Sequence, residues 1–230
     1  MKLYQLKETG FNPKDWIKQH YNSFAGSTAE RYFVDDTIIN DDGTVNYDSS
    51  LYLRDISRIE VEFNVVKGNF EVTTTSSSLT SLKNSPNEVY GTCRVRNQKI
   101  TSLQYCPRWI KDNLDLGSNK IEKIDYFPEH VGGWINLAEN NIKSLKGIQK
   151  MIKELKGKLY LGGNPITRSI IGLTMIPGAN KNTVLFGTLI SYNLRDALDI
   201  MEPYYGKSKA DVLECQEKMI DAGLDDYAEF

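Results

Sequence analysis

Short alternating pairs of apolar residues recur through the middle of the chain: Phe70/Val72, Cys93/Val95, Leu114/Leu116, Ile135/Leu137 and Leu159/Leu161. One residue separates the members of each pair, the period-two pattern that puts both side chains on one face of a β-strand. Each pair is followed by an aliphatic residue (Leu79, Ile100, Ile121, Ile142, Ile166), and the first four of these by a second one (Leu82, Leu103, Ile124, Leu145). Four residues ahead of each pair stands one more apolar position: Val66, Val89, Ile110, Val131 and Leu155. Asn119, Asn140 and Asn164 share one slot, with Gln98 in their place one repeat earlier, and prolines recur at Pro86, Pro107 and Pro128. From Leu116 to Leu137, Asn119 to Asn140 and Ile121 to Ile142 the offset is a constant 21 residues.

A phrase of the form L-x-L-x-x-N-x-L-x-x-L on a period in the twenties predicts an α/β solenoid of leucine-rich-repeat type. One short strand per repeat pairs in parallel with the next, forming a sheet on the concave face, and the aliphatic columns stack into a continuous core. The Asn falls where the chain leaves the strand. There its amide can donate to and accept from backbone groups that the bend leaves unpaired. No repeat buries its apolar face alone, so both ends of the stack need a cover.

The flanks supply candidates for those covers. Residues 1–42 form an N-terminal helical cap and lead-in: "NPKDWIKQHYNSF" predicts a helix with Asn12 as cap, Pro13 at its first position and Trp16, Ile17, His20, Tyr21 and Phe24 on its apolar face. Residues 43–167 form the solenoid. Residues 168–230 carry two predicted helices. The first has Leu194, Ala197, Leu198 and Met201 at helical spacing and stops at Pro203 and Gly206; the second opens at Ser208, with Asp211 completing a capping box, places Val212, Cys215, Met219 and Ile220 inward and ends at Gly223. They close the solenoid or form a separate docking element, and closure is the simpler expectation.

The phrases "SLTSLKNSPNEVYG", "KITSLQYCPRWIKDNLDLGSN" and "IEKIDYFPEHVGGWINLAENNIKSL" resemble the short leucine-rich-repeat-like proteins common in tailed bacteriophages and, more distantly, the short-repeat segments of bacterial effectors. The resemblance spans about residues 43 to 167; Thr75 and Ser77 blur the Asn slot of the first full repeat, and Tyr160–Gly163 is irregular. It implies a protein-binding solenoid without catalytic residues, acting on a host or phage protein in the host cytoplasm.

Composition narrows the alternatives. A net charge of -2 argues against a broadly basic nucleic-acid binder, and no apolar run is long enough to span a bilayer. Three scattered cysteines, Cys93, Cys106 and Cys215, suit reduced thiols in a cytoplasmic compartment better than a disulfide framework. His20 on a helix face and His130 in a turn after Pro128 lack a metal-ligand set around them, and no phosphate cradle, dinucleotide fingerprint or zinc motif is present. The expectation is a non-enzymatic chain without cofactor or metal, its oligomeric state left open.

The informative positions flank the buried pairs, because strand side chains alternate faces. The outward rows include Arg94 and Arg96, Asp115, Trp134 and Asn136, and Tyr160. These six are the candidate protein-binding residues, Trp, Tyr and Arg being the types that dominate interface energetics. Trp134 is either exposed beside Tyr160 or folded down over Leu155. An alternative patch lies in "KSLKGIQKMIKELKGK". There Ile148, Met151, Ile152 and Leu155 follow helical spacing, so a helix would present Lys146, Lys150 and Lys153, within the Lys143–Lys158 run, as a basic face for nucleic acid. A solvated helix face is the plainer reading of those lysines.

Overall fold

The structure, a computed structural model, describes residues 10–21, 36–75 and 78–230. Its strands are β1 (Thr37–Ile39), β2 (Val45–Tyr47), β3 (Leu51–Arg54), β4 (Phe63–Val66), β5 (Phe70–Thr73), β6 (Glu88–Val89) and β7 (Cys93–Arg94). They continue with β8 (Trp109–Ile110), β9 (Leu114–Asp115), β10 (His130–Val131), β11 (Ile135–Asn136), β12 (Leu159–Tyr160) and β13 (Val184–Leu185). The expected parallel ladder is present. Seven strands stack in the order β13-β12-β11-β9-β7-β5-β3, with Cys93 opposite Leu114, Leu114 opposite Ile135 and Ile135 opposite Leu159. The stack does not stop at residue 167: β13 adds a further parallel strand beside β12.

A second sheet, absent from the sequence reading, runs alongside in the order β1-β2-β4-β6-β8-β10. Its buried members Val66, Val89, Ile110 and Val131 are the column four residues ahead of each pair, so every 21-residue turn carries two strands joined by a sharp bend. In the turn after Val131 the bend requires glycine, since a Cβ on Gly132 would lie 1.9 Å from the Lys111 carbonyl oxygen, whereas Lys67, Tyr90 and Lys111 occupy the same place in earlier turns. In the following turn the repeat lengthens from 21 residues to 24 (Ile135 to Leu159), and the helical turn α2 (Ile148–Met151) replaces the second-sheet strand.

The Asn column does what its position predicts. The Asn140 Oδ1 accepts from the Ile121 N–H at 2.9 Å, while its Nδ2 donates to the carbonyls of Leu116 and Leu137, each at 3.1 Å. Asn119 repeats this one turn earlier on the Ile100 N–H and on the Val95 and Leu116 carbonyls, Asn164 one turn later on the Ile142 N–H, and Gln98 serves the Leu79 N–H. Each amide therefore stitches two successive turns together inside the core. A second corner, before the proline column, is left-handed in every turn from the third on: Asn84, Tyr105, Tyr126, Gly147 and Ser169 all have positive φ.

Helices pack at both ends of the stack. The helix α1 (Pro13–His20) is capped by Asn12, whose side chain accepts from the Lys14 N–H, and buries Trp16 and Ile17. Tyr21 bridges antiparallel to Leu53 on the edge strand β3, and the antiparallel β1–β2 hairpin, turned through "NDDGT", starts the second sheet. Phe24, expected on the helix face, and Ser77, in the Asn slot, lie outside the described residues. At the far end α3 (Tyr192–Met201) and α4 (Lys209–Asp221) share one core with the solenoid through Leu194, Ala197, Met201, Val212, Cys215 and Met219. The predicted capping box of Ser208 and Asp211 is formed. Ile220, expected inward, is exposed; the chain turns at Gly223 and Leu224 takes the buried place. The last residues then tie the cap down, the Ser169 and Ile170 N–H groups donating to the carbonyls of Asp226 and Tyr227. Among the described residues no helix is long and apolar enough to cross a membrane.

Candidate interaction surface

On the seven-stranded sheet the residue that follows each first buried member points outward, which lines up Glu71, Arg94, Asp115, Asn136 and Tyr160 across neighbouring strands. Four of them form one polar network. Arg94 Nη1 lies 3.1 Å from Glu71 Oε2 and its Nε 3.5 Å from Asp115 Oδ2, while Arg96 Nη1 is 3.9 Å from the same Asp115 oxygen. Asn136 Nδ2 donates to Asp115 Oδ1 at 2.9 Å, and the Gly117 N–H donates to it at 3.2 Å. The Asp115 side chain is only 3% exposed, against 40% for Arg94 and 49% for Arg96. Asp115 is therefore almost wholly covered by its neighbours. It holds two arginines in place, and those remain accessible.

Trp134 is half-buried rather than fully exposed, and it stands edge-on to Tyr160 with ring centroids 6.3 Å apart at 86°. Edge-to-face packing of this kind fixes both rings. Its backbone is also pinned, the Trp134 N–H donating to Asn113 Oδ1 at 3.0 Å. Five of the six predicted residues thus form two adjoining, pre-ordered groups on one face, with Arg96 at the margin of the first.

The lysine run differs from expectation. Only Ile148–Met151 is helical; Ile152 and Leu155 are buried from non-helical chain. Lys146, Lys150 and Lys153 are all exposed, but no continuous helix face carries them. The left-handed Gly147 sits between Lys146 and the helix, and Lys153 Nζ folds back onto the Lys150 carbonyl at 2.7 Å. Lys146 lines, with Lys123, Lys143 and Arg168, a different groove of about 680 Å³.

The outer face of the second sheet went unread in the sequence. There the Trp109 and His130 rings stack at 5.4 Å and 14°, Tyr90 leans on Trp109 at 5.0 Å, and Lys67 Nζ stands 5.0 Å from the Tyr90 ring centre. The available signal was the 21-residue offset from Trp109 to His130, one position before the Ile110 and Val131 column. His130 accordingly lies on a strand, not in a turn. The other histidine, His20, packs on Trp16 and places Nδ1 2.9 Å from the Trp16 carbonyl oxygen.

The three cysteines are buried and unpaired. Burial pushes the Cys93 thiol up to about 12 and the Cys215 thiol up to about 11, and raises that of Cys106 as well. A thiol kept protonated is a poor nucleophile and a poor metal ligand. Among the described residues no cluster of three or more His, Cys, Asp or Glu is placed to hold a metal ion. No protein family, no curated protein and no solved structure matches this chain.

Proposed function

We propose that this chain is a non-catalytic protein-binding solenoid, of the phage type its repeats resemble, that occludes a host or viral protein in the host cytoplasm. The observation that carries the reading is the outward face of the seven-stranded sheet, where the Trp134–Tyr160 pair adjoins two arginines oriented by Asp115 and Glu71. Trp, Tyr and Arg supply most of the binding energy at protein interfaces. Ordering a free side chain on docking costs about 0.5–1.5 kcal/mol, and side chains already held by their neighbours escape most of that cost. The mechanism is steric occlusion by a rigid surface, with no covalent step.

The test is affinity capture from expressing cells with the parent chain and with the Trp134→Ala/Tyr160→Ala double variant, after matching their thermal melts. The expected result is a partner captured by the parent and lost by the variant. If every captured partner is retained, the sheet face is not the site. Salt-sensitive retention of DNA or RNA that disappears on charge reversal of Lys146, Lys150 and Lys153 would move the function to the lysines instead.

A further inference from the structure

At its C-terminal end the same sheet face runs into a cleft of about 640 Å³ between the solenoid and the helical cap. Tyr160 and Leu185 form one wall; Leu198, Asp199 and Glu202 form the other, with Tyr205 beyond them. The floor is kept low by small residues in successive turns, Ala138, Gly162 and Gly187. A Cβ on Gly162 would lie 3.2 Å from the Phe186 carbonyl oxygen, a close approach that would ask the next turn to give by a few tenths of an ångström.

We propose that this cleft receives a lysine or arginine side chain presented by an extended segment of the protein partner, an inference that rests on the protein-binding reading of this face. Charge selects the occupant. Among the described lining residues the charged groups are two carboxylates, Asp199 and Glu202, and one ammonium, Lys181. Lys181 is paired with Glu202, and the exposed Asp199 has no ion partner among the described residues. The Tyr160 hydroxyl has no hydrogen-bond partner among the described residues and its ring is half-buried; Tyr205 borders the cleft with a half-buried ring, and burial pushes its hydroxyl above the usual phenol range. An aliphatic stem lying on Leu185 and Leu198 brings a cationic head to the carboxylates and to the aromatic rings, which attract cations through their negative faces. An anionic side chain would be repelled by Asp199, and a neutral one would gain no attraction from it.

The experiment titrates isotope-labelled full-length protein with acetyl-Ala-Arg-Ala-amide, its lysine counterpart, and the isosteric citrulline and glutamate versions, following backbone amide shifts. Saturable shifts at Gly162, Gly187 and Tyr205 are expected with arginine or lysine, with the citrulline peptide weaker by about tenfold or more. Asp199→Asn/Glu202→Gln should lower the cationic peptides' affinity by a similar factor while leaving the thermal midpoint in place. Absence of shifts at those amides up to about 10 mM peptide, equal affinity for citrulline, or indifference to the double variant overturns the proposal. The broader reading is separable. Trp134 lies outside the cleft, so capture of the partner that is lost in Trp134→Ala but kept in Asp199→Asn/Glu202→Gln refutes the cation cleft alone.

Discussion

Replacing Asn140 by Ala tests the device that joins the turns. Asn140 is 4% exposed and makes four hydrogen bonds: it accepts from the Ile121 N–H and donates to the carbonyls of Leu116, Leu137 and Ala138. The losses are unequal. The Leu116 carbonyl also accepts from Asn119 Nδ2 at 3.0 Å, and the Leu137 carbonyl from Asn164 Nδ2 at 2.8 Å, so both keep a donor. The Ile121 N–H has no such reserve and is left buried without an acceptor. A stranded buried donor costs about 1–3 kcal/mol, and losing shared bonds to carbonyls that remain satisfied adds roughly 1 kcal/mol more. The expected total is about 2–4 kcal/mol, a fall in Tm of roughly 5–15 °C for a chain of this size. Because turns of a solenoid touch only their neighbours, the damage should be local. Urea unfolding gives the total, and hydrogen exchange locates it, with accelerated exchange at Ile121 and little change in the C-terminal helices. A loss below about 1 kcal/mol together with unaltered protection of the Ile121 amide would refute the reasoning, since the ladder would then not depend on its Asn column.

Three further outcomes follow from the geometry. Gly132→Ala places a methyl 1.9 Å from the Lys111 carbonyl oxygen, so the bend between the sheets must open and the variant should lose more than about 3 kcal/mol or fail to accumulate; a parent-like melt would mean the bend is not rigid. Tyr126→Asn should raise stability by about 0.5–1 kcal/mol, because a left-handed backbone costs an ordinary L-residue about 1–2 kcal/mol while Asn tolerates it. Tyr126 is 66% exposed, so the substitution forfeits little burial; a lowered Tm would show that the ring is bound down elsewhere. A disulfide reagent at pH 8 should leave Cys93, Cys106 and Cys215 untouched in the folded chain and modify all three after denaturation, because burial holds each thiol protonated well above that pH. Prompt native reaction at any one of them would contradict its burial.

The first sheet and the Asn column were legible in the sequence because each carries a redundant signal. Alternating apolar pairs define the strand, and the amide side chain recurs at the one position where two turns must be joined. The second sheet carried no such redundancy. Its strands from β6 onward are two residues long with a single buried member, as in Glu88–Val89 and His130–Val131, too short for alternation to register. The lysine run misled for a related reason. Ile148, Met151, Ile152 and Leu155 satisfy helical spacing, but the turn has only three residues to spare over the 21-residue repeat, enough for one helical turn before the chain must re-enter the ladder at Leu159. Tertiary closure overrode local periodicity.

The polar network shows why the candidate site could be located by sequence but not ranked. Alternation correctly turned Arg94, Asp115 and Asn136 outward, yet outward is not the same as free. Asp115 is covered by the groups it binds, and removing it would leave Arg94 held by Glu71 alone, free Arg96 from its carboxylate, and release Asn136 and the Gly117 N–H. Conversely, removing both arginines would leave a carboxylate that is almost wholly buried with only amide donors, and breaking a buried pair from one side is far more damaging than its net worth. Loss of binding in Asp115→Ala would therefore report a collapsed surface rather than a lost contact. Trp134 and Tyr160 hold each other mainly through ring packing, and neither side chain is bound into that network. They are the pair whose removal separates recognition from scaffolding.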